Sequence, residues 1–449
     1  MVRKVLLVGN GAREHAVAAA LCRSKDVKLF AYMSSRNPGI EELCLKSGGA
    51  VRIGDIHQPE PIAVWAKACK IDIGFPSPDA VLAAGVVDEL HKHGIPCAAP
   101  VRSAARLEWD KSYLRHLMKR FRVPGCPEYG FFQSAEHLDS FIDSLGGQVA
   151  VKPVGLTGGK GVQVVGQQLR NAAEAKQYAR QVIGHKIGGQ AGVVIEEKLE
   201  GEEFTVQGFV QGRVVLPMPA VQDHKLAFEG DKGAMTGGMG SYSGPGGLLP
   251  FLTPADYEQA VSILEKVSRA YELESSAQYK GILYGQFMLT KKGIYLVEIN
   301  ARFGDPEAVN VLSLLKTPLI DIFERMAVGR LRNFTAEWAK DATVVKYLVP
   351  NGYPIELMPP AKISIDQKKL KASKASLYYA AVDQRPDGLY TSTSRAIAIL
   401  GSGKTLAEAE KRAESGCKSV SGPVWHRADI GTAALLKKRM DHVKAMRGR

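Results

Sequence analysis

The sequence predicts a multidomain protein of mixed α/β and α+β class, and three observations support this prediction. Its 449 residues are enough for roughly two to four domains with sizeable cores. Residues 1 to about 102 alternate short apolar runs with helical patterns, which is typical of a parallel α/β sheet. Beyond about residue 330 the chain shows strand patterns and a capped helix without a chemistry-bearing motif, which indicates a small closing α+β domain.

Composition narrows the class of protein. The formal net charge is +13, but Lys and Arg are spread along the chain and no basic run carries interleaved aromatic residues. This favours small phosphorylated substrates over nucleic acid, although a basic proteome as a whole would give the same balance. No apolar run could span a membrane, and the N-terminal apolar segment is too short for a signal peptide. Six scattered cysteines without a CxxC pair indicate a reducing, cytoplasmic setting.

The N-terminal region carries a glycine turn directly after its first predicted strand. We expect strands at 5–8, 27–32, 71–75 and 95–98, and helices at 61–69 and 81–93. Gly9, Asn10 and Gly11 form a turn that could cradle a phosphate, with a helix N-terminus behind it. Glu14 stands where a dinucleotide motif has its third glycine, so a sugar-phosphate site is favoured over a redox cofactor. A tight turn that merely packs is the alternative.

A second glycine loop lies between two predicted strands in the segment 149–165. It reads Gly158-Gly159-Lys160-Gly161 and is not a Walker A motif, because the spacing differs and no helix follows. Such a loop suits a lid over ATP phosphates, with Lys160 and backbone amides as donors. Lys152 on the entering strand, and Lys111 on an amphipathic helix over 105–118, would add fixed charges. A plain hairpin turn is the alternative.

Two further segments suit nucleotide and substrate binding. The segment 193–206 reads as strand, acidic connector and strand, which could hold an adenine by its backbone and a ribose by a carboxylate; a solvated acidic turn is the alternative. The stretches 221–225 and 230–247 form a long glycine-rich loop, and such loops are usually functional or disordered. Asp223 could take a substrate ammonium, and Lys225 with the loop amides could take a carboxylate or phosphate. We expect no acid–base role for His224.

The richest segment is Leu296 to Glu307. Glu298, Asn300 and Arg302 share one strand face if the strand continues, because alternate side chains point the same way. Carboxylate and amide oxygens suit Mg²⁺, and a guanidinium grips phosphate oxygens. A second strand at 281–289, joined by a three-residue turn at 291–293, sets Gln286 opposite Glu298 as a third oxygen ligand. A solvated strand end, and a buried Gln bonded to backbone, are the alternatives.

The C-terminal region is expected to contain strands at 342–349, 375–382 and 395–400. A helix at 405–415 opens with a Thr cap.

Together these motifs resemble the ATP-grasp superfamily and, within it, the phosphoribosylamine–glycine ligases (glycinamide ribonucleotide synthetases). The resemblance runs nearly end to end, through the segments 9–16, 158–161, 196–203, 222–225, 236–242, 300–307 and 426–431. It implies a Rossmann-like domain at 1–102, an ATP-grasp domain at 103–327 with a lid at about 116–192, and a C-terminal α+β domain at 328–449. Ala12 and Val154 depart from the usual family residues.

The resemblance also implies a reaction and its site. ATP, with Mg²⁺ or Mn²⁺, would join glycine to 5-phosphoribosylamine in purine biosynthesis. Arg302, Asp223 and Lys225 would be catalytic, and Gln286, Glu298 and Asn300 would hold the metal. ATP would be bound by Lys111, Lys152, Gly158, Gly159, Lys160, Gly161, Glu196, Glu197, Leu199 and Glu203. Substrates would be bound by Gly9, Asn10, Gly11, Arg13, Glu14, Thr236, Gly237, Gly238, Met239, Asp305 and Glu307.

Two other functions are possible, and two expectations concern partners and oligomeric state. Another ATP-grasp carboxylate–amine ligase of purine metabolism, using formate or CO₂, is the nearest rival, and a basic nucleic-acid-binding protein is a more distant one. We expect no nucleic-acid or membrane partner. The protein would be a monomer or a weak homodimer.

Overall fold

A computed structural model describes residues 2–155 and 161–448. The N-terminal region forms the predicted parallel sheet, which confirms that part of the fold class. Its strands, in sheet order, are Val51–Ile53, Val27–Met33, Arg3–Val8 and Ile73–Pro76. The helices around it are Ala12–Leu21, Pro38–Lys46, Pro59–Ala68, Asp79–Ala84 and Val86–Lys92.

Several predicted elements of this region differ in detail. The strand at 51–53 was not predicted, and the segment 95–98 contributes one isolated bridge, from Cys97 to Gly74, instead of a strand. The helix predicted over 81–93 is two helices, because Gly85 adopts a left-handed φ of 87° between them. The helix predicted over 105–118 is likewise Arg102–Trp109 and Lys111–Arg120, since the Asp110 side chain caps the second helix by accepting from the Tyr113 amide.

A four-stranded antiparallel sheet follows, in the order Tyr129–Phe132, Val193–Glu197, Val149–Pro153 and Gln163–Val164. Helices Leu138–Ser144 and Ala172–His185 belong to the same unit. Its apolar residues form a core cluster separate from the main one.

The central sheet has the strand order Val214–Pro217, Glu202–Gln211, Lys280–Thr290 and Gly293–Asn300. The last two strands form the predicted hairpin, and Gln286 pairs with Glu298 as expected. The three-residue turn is wrong, however: Thr290 pairs with Gly293, so the turn has two residues, Lys291 and Lys292. The remaining helices here are Pro254–Ser275, Glu307–Leu314 and Leu319–Ala327, with a 3₁₀ turn at Pro245–Gly247.

A six-stranded sheet joins the middle of the chain to its C-terminal part. Its strand order is Gln222–Asp223, Gly240–Ser243, Ala342–Pro350, Ile397–Gly403 and Ser376–Tyr379, with Val424–Trp425 also paired to Ala342–Pro350. The glycine-rich stretch 230–247 is therefore not one long loop. It also contains strand Lys232–Met235, which pairs with Leu226–Phe228 in a small ribbon.

The C-terminal part completes the fold. The predicted Thr405 cap is confirmed, and its helix spans Leu406–Cys417. The strand predicted over 375–382 is interrupted, because its two ends join different sheets. A second sheet has the order Val382–Arg385, Gly388–Thr391, Lys362–Ile365 and Val420–Ser421, and the other helices are Gln367–Ser373 and Ala433–Met446.

One large apolar core runs from the N-terminal sheet through the central sheet into the six-stranded sheet. Within the described residues, no helix is both long and apolar enough to cross a membrane. The domain limits at 102 and 327, and the lid limits at about 116 and 192, stay predictions.

Candidate active site

A cavity of about 300 Å³ brings most of the predicted site residues together. Its walls come from the central hairpin, the four-stranded sheet, the first turn of helix Lys111–Arg120 and the segment 223–237. The predicted residues that line it are Lys111, Lys152, Glu196, Glu197, Leu199, Glu203, Asp223, Lys225, Thr236, Gly237, Glu298, Asn300, Arg302, Asp305 and Glu307.

Glu298, Asn300 and Arg302 form a chain of contacts at the end of the hairpin. The Asn300 amide donates to Glu298 Oε1 at 3.4 Å, and Arg302 Nη2 donates to Asn300 Oδ1 at 3.0 Å. Burial alone would raise the pKa of Glu298, but Lys225, Lys111 and Lys152 outweigh it and hold that pKa below its usual value. A charged, half-buried carboxylate and the amide oxygen of Asn300, which here accepts from Arg302, are the oxygen ligand types that suit a hard divalent cation.

Gln286 lies opposite Glu298 and reaches the neighbouring carboxylates. Its Nε2 donates to Glu203 Oε2 at 2.8 Å and to Asp223 Oδ1 at 3.5 Å, while its Oε1 accepts from the Tyr284 hydroxyl at 2.5 Å. A half-turn of the amide would exchange its oxygen and nitrogen. Gln286 therefore stays a proposed cation ligand that depends on this rotation. Glu203, predicted to bind ATP, lies at this end of the cavity, with Lys225 at 3.5 Å.

Lys152 is fixed by a buried ion-pair network. Its Nζ lies 2.6 Å from Glu196 Oε2 and donates to the Val297 carbonyl at 3.1 Å. Arg115 binds both oxygens of Glu196, at 2.6 and 3.0 Å, and also donates to the Val297 carbonyl. Burial would raise the pKa of Glu196, but Arg115 and Lys152 lower it to about 2.

This network gives Glu196 a structural partner role. Its carboxylate is engaged by Arg115 and Lys152 and orients Lys152. Binding of ribose hydroxyls by a connector carboxylate stays a prediction. Glu197 accepts from the Glu128 amide at 2.9 Å. Sequence reasoning missed Arg115, since one arginine on an amphipathic helix carries no signal of burial.

Lys111 lies beside the start of the predicted lid loop. Its Nζ donates to the Gly155 carbonyl at 3.1 Å, and burial lowers its pKa. Gly158, Gly159 and Lys160 lie outside the described residues. At the far side of the loop, the Tyr178 hydroxyl donates to the Gly161 carbonyl at 2.8 Å.

The segment 223–225 places its charged residues on one side and its histidine on the other. Asp223 and Lys225 line the cavity and lie 3.8 Å apart. Burial would lower the pKa of Lys225, but Asp223, Glu203 and Glu298 raise it. His224 is buried away from the cavity, with its ring 5.8 Å from that of Tyr242. The absence of an acid–base role for His224 stays a prediction.

Arg302 has a second buried partner that sequence reasoning missed. Its Nη2 lies 3.1 Å from Glu108 Oε1, while Glu108 Oε2 accepts from the Ala301 amide at 2.8 Å. Burial raises the pKa of Glu108 to about 7. Glu307 is also buried: it accepts from the Tyr284 hydroxyl at 2.8 Å, and burial, with Asp223 nearby, raises its pKa to about 7.

The loop at 236–239 is closed by its own threonine. Thr236 Oγ1 donates to the Lys225 carbonyl at 2.8 Å and accepts from the Gly238 amide at 3.0 Å. Met239 is fully buried behind the loop, and its amide donates to the His224 carbonyl at 2.7 Å.

The glycine turn of the N-terminal sheet lies beside the cavity, and its residues are not among the described residues that line it. Glu14 closes the turn: its Oε2 accepts from the Gly11 amide at 2.7 Å, and its Oε1 lies 2.6 Å from Arg13 Nε. Arg13 also donates to the Phe303 carbonyl at 3.2 Å, which links the turn to the end of the hairpin. Asn10 Oδ1 accepts from the Ser34 hydroxyl at 2.8 Å.

Comparisons with known proteins agree with this architecture. The family models for the N domain, the ATP-grasp (A) domain and the C domain of phosphoribosylglycinamide synthetase match residues 3–108, 109–308 and 343–433. A phosphoribosylamine–glycine ligase from Methanobrevibacter smithii is 49% identical over 98% of this chain and 99% of its own length. One from Methanothermobacter thermautotrophicus is 46% identical over 99% of this chain and 100% of its own length.

Among solved structures, the phosphoribosylamine–glycine ligase of Thermotoga maritima superposes with a TM-score of 0.79 at 25% identity. The match covers 95% of this chain and 99% of that one. These matches span all three parts of the fold and include the cavity residues of the hairpin. The chain belongs to the phosphoribosylglycinamide synthetase family.

Proposed function

We propose that this protein uses ATP to join glycine to 5-phosphoribosylamine, giving glycinamide ribonucleotide, ADP and phosphate. The observation that carries the proposal is the composition of the cavity. Four cationic side chains, Lys111, Lys152, Lys225 and Arg302, line it together with a carboxylate–amide pair, the half-buried Glu298 and the buried Asn300. Family membership supports the choice of substrates, since the full-length relatives are phosphoribosylamine–glycine ligases.

The first stage we propose is phosphoryl transfer. A carboxylate oxygen of glycine attacks the γ-phosphorus of ATP, the bond to the bridging oxygen breaks, and ADP leaves. Lys111 and Lys152 bind phosphate oxygens, and Arg302 stabilises the charge that develops on the transferring group. Glu298, Asn300 and, after rotation of its amide, Gln286 would hold Mg²⁺ or Mn²⁺, which when bound would supply positive charge to the phosphate oxygens.

The second stage is acyl transfer. The amine nitrogen of phosphoribosylamine attacks the carbonyl carbon of glycyl phosphate, and inorganic phosphate leaves as the amide forms. Because the amine is already nucleophilic, the protein contributes mainly by positioning and by excluding water. We propose that the Asp223 carboxylate binds the ammonium group of the substrate glycine. The reacting groups would lie near Lys225 and the Thr236–Met239 loop, with the 5-phosphate toward the Gly9–Gly11 turn.

The test is ADP release with ATP and chemically generated phosphoribosylamine, measured with glycine, formate or bicarbonate as the third substrate. We expect ADP release when glycine is the third substrate and not when formate or bicarbonate replaces it. The product should have the mass of glycinamide ribonucleotide. Turnover that requires formate or bicarbonate would instead support a related carboxylate–amine ligase. Salt-sensitive DNA binding without ATP turnover would support neither.

A further inference from the structure

We propose that Arg395 is a positioning residue for the ligation, which fixes the Thr236–Met239 loop against Asp305 at the substrate end of the cavity. The inference rests on the proposed function, because that function assigns the loop to substrate. Arg395 comes from the C-terminal part of the chain, far in sequence from the segments it contacts.

One guanidinium joins two separate segments. Arg395 Nη1 donates to the carbonyl oxygens of Gly237 at 2.7 Å, Gly238 at 2.9 Å and Asp305 at 3.1 Å. Its Nη2 donates to Asp305 Oδ2 at 2.9 Å. A planar group with several fixed donors can satisfy such a set, whereas an ammonium on a flexible stem cannot reproduce the geometry.

Tyr347 completes the arrangement from the six-stranded sheet. Its hydroxyl donates to Asp305 Oδ1 at 2.5 Å, and the Arg395 guanidinium carbon lies 4.4 Å from the centre of its ring. Both oxygens of Asp305 are therefore held, one by Arg395 and one by Tyr347. Because the ion pair is mostly shielded from water, with side-chain exposures of 14% and 19%, its geometry is more restricted than that of a surface pair.

The two glycines of the loop make this close approach possible. A Cβ on Gly237 would meet Arg395 Nη2 at 3.1 Å. Gly238 has a φ of 109°, and a Cβ there would meet Pro306 at 2.8 Å. A side chain at either position would push the loop away from Arg395 or from the Asp305 segment.

Arg395 acts through its partners. Thr236, Gly237 and Asp305 line the cavity, whereas Arg395 is not among the described residues that do. Arg395 thus sets where the loop groups lie relative to Lys225 and Glu307 on the same wall. Lys111 and Lys152, assigned to ATP phosphates, have no contact with it among the described interactions.

The test combines steady-state kinetics with hydrogen exchange on Arg395→Met and Arg395→Lys. The control is Arg412→Met, which removes a C-terminal arginine that pairs with Glu408 and the Ser402 carbonyl. We expect both Arg395 variants to raise the KM for phosphoribosylamine or glycine by about tenfold, as for one lost charge-assisted hydrogen bond, with the KM for ATP within about twofold. Amides 236–239 should exchange faster in both variants and not in Arg412→Met.

Asp305→Asn supplies a second measurement. The double variant Asp305→Asn, Arg395→Met should have KM values close to those of either single variant, because both substitutions remove the same contact. Equal increases in all three KM values, or unchanged exchange at 236–239, would overturn the proposal. Absence of glycine-dependent turnover in the unmodified protein would overturn the proposed function instead, while the exchange measurement would still decide whether Arg395 fixes the loop.

Discussion

Lys152 Nζ lies 2.6 Å from Glu196 Oε2, and both side chains are buried. Arg115 shares the same carboxylate, so one negative charge holds two positive ones beside the cavity. The position of Lys152, proposed to bind ATP phosphates, therefore depends on a residue that need not touch the nucleotide.

Glu196→Gln should weaken ATP binding. The change keeps the shape of the side chain but removes its charge, leaving Arg115 and Lys152 less well compensated. We expect the KM for ATP to rise about tenfold and the free energy of unfolding to fall by roughly 3 kcal/mol, as when a buried ion pair is broken. Kinetics and denaturant titration measure the two effects. Glu128→Gln, an exposed neighbour, is the control; an unchanged KM for ATP would contradict the assigned role of the network.

Asp223→Asn and His224→Phe should have opposite outcomes although the residues are adjacent. Asp223 faces the cavity, so losing its charge should lower kcat/KM for glycine roughly tenfold to a hundredfold, as for a lost charged contact of about 1.5–3 kcal/mol. His224 faces away, and phenylalanine fills a similar volume. The His224→Phe variant should keep the kcat and the shape of the pH–rate profile of the unmodified protein. If the rate of His224→Phe no longer changed with pH on one side of that profile, the histidine would have a role in catalysis.

His15 should make stability depend on pH. Its Nδ1 accepts from the Tyr379 amide at 2.9 Å, and burial lowers its pKa to about 4, against an ordinary value of about 6.5. The unfolded chain therefore binds more protons between these values, so stability falls as pH drops through this window. Between pH 7 and pH 5, His15 should lower the free energy of unfolding by about 2 kcal/mol.

His15→Gln keeps an acceptor for Tyr379 but cannot titrate. Its free energy of unfolding should fall less over the same pH range, whereas His185→Gln, on an exposed site, should behave like the unmodified protein. Identical pH slopes for His15→Gln and the unmodified protein would show that His15 is not held neutral by this contact.

Glu298→Ala should abolish ligation while the fold is kept. Removing the carboxylate leaves the Asn300 amide nitrogen without its acceptor and removes a proposed cation ligand. We expect kcat to fall by at least about a hundredfold, in line with a loss of about 3 kcal/mol of transition-state stabilisation. The remaining turnover rate should depend less on the concentration of Mg²⁺ or Mn²⁺. Circular dichroism checks the fold, and Glu274→Ala, exposed at the end of a helix, is the control. Near-normal turnover would rule out the assigned role of Glu298.

The hairpin was predictable because its information is local. Apolar strand patterns and a short turn predicted the hairpin, but the predicted turn was one residue too long. Gln286 still lies opposite Glu298 because a β-bulge between Gln286 and Phe287 shifts the register by one residue, and the sequence pattern did not predict that bulge. The parallel N-terminal sheet follows from buried runs separated by helical patterns in the same way.

Other parts of the site depend on contacts between distant segments. Three single charged residues have roles that come from partners 81 to 194 positions away: Arg115, Glu108 and Arg395. Strand Gly240–Ser243 exists because it pairs with Ala342–Pro350, about a hundred residues later, and its glycine-rich sequence resembles a loop. Local patterns carry no record of such pairings.

The most direct test of the central claim, ligation through glycyl phosphate, follows oxygen from glycine. Glycine labelled with ¹⁸O in both carboxylate oxygens is incubated with ATP and phosphoribosylamine, and the inorganic phosphate is analysed by mass spectrometry. We predict one ¹⁸O atom in each phosphate released, because the oxygen that attacks the γ-phosphorus leaves with the phosphate when the amide forms. Phosphate without label, formed alongside glycinamide ribonucleotide, would contradict the proposed mechanism.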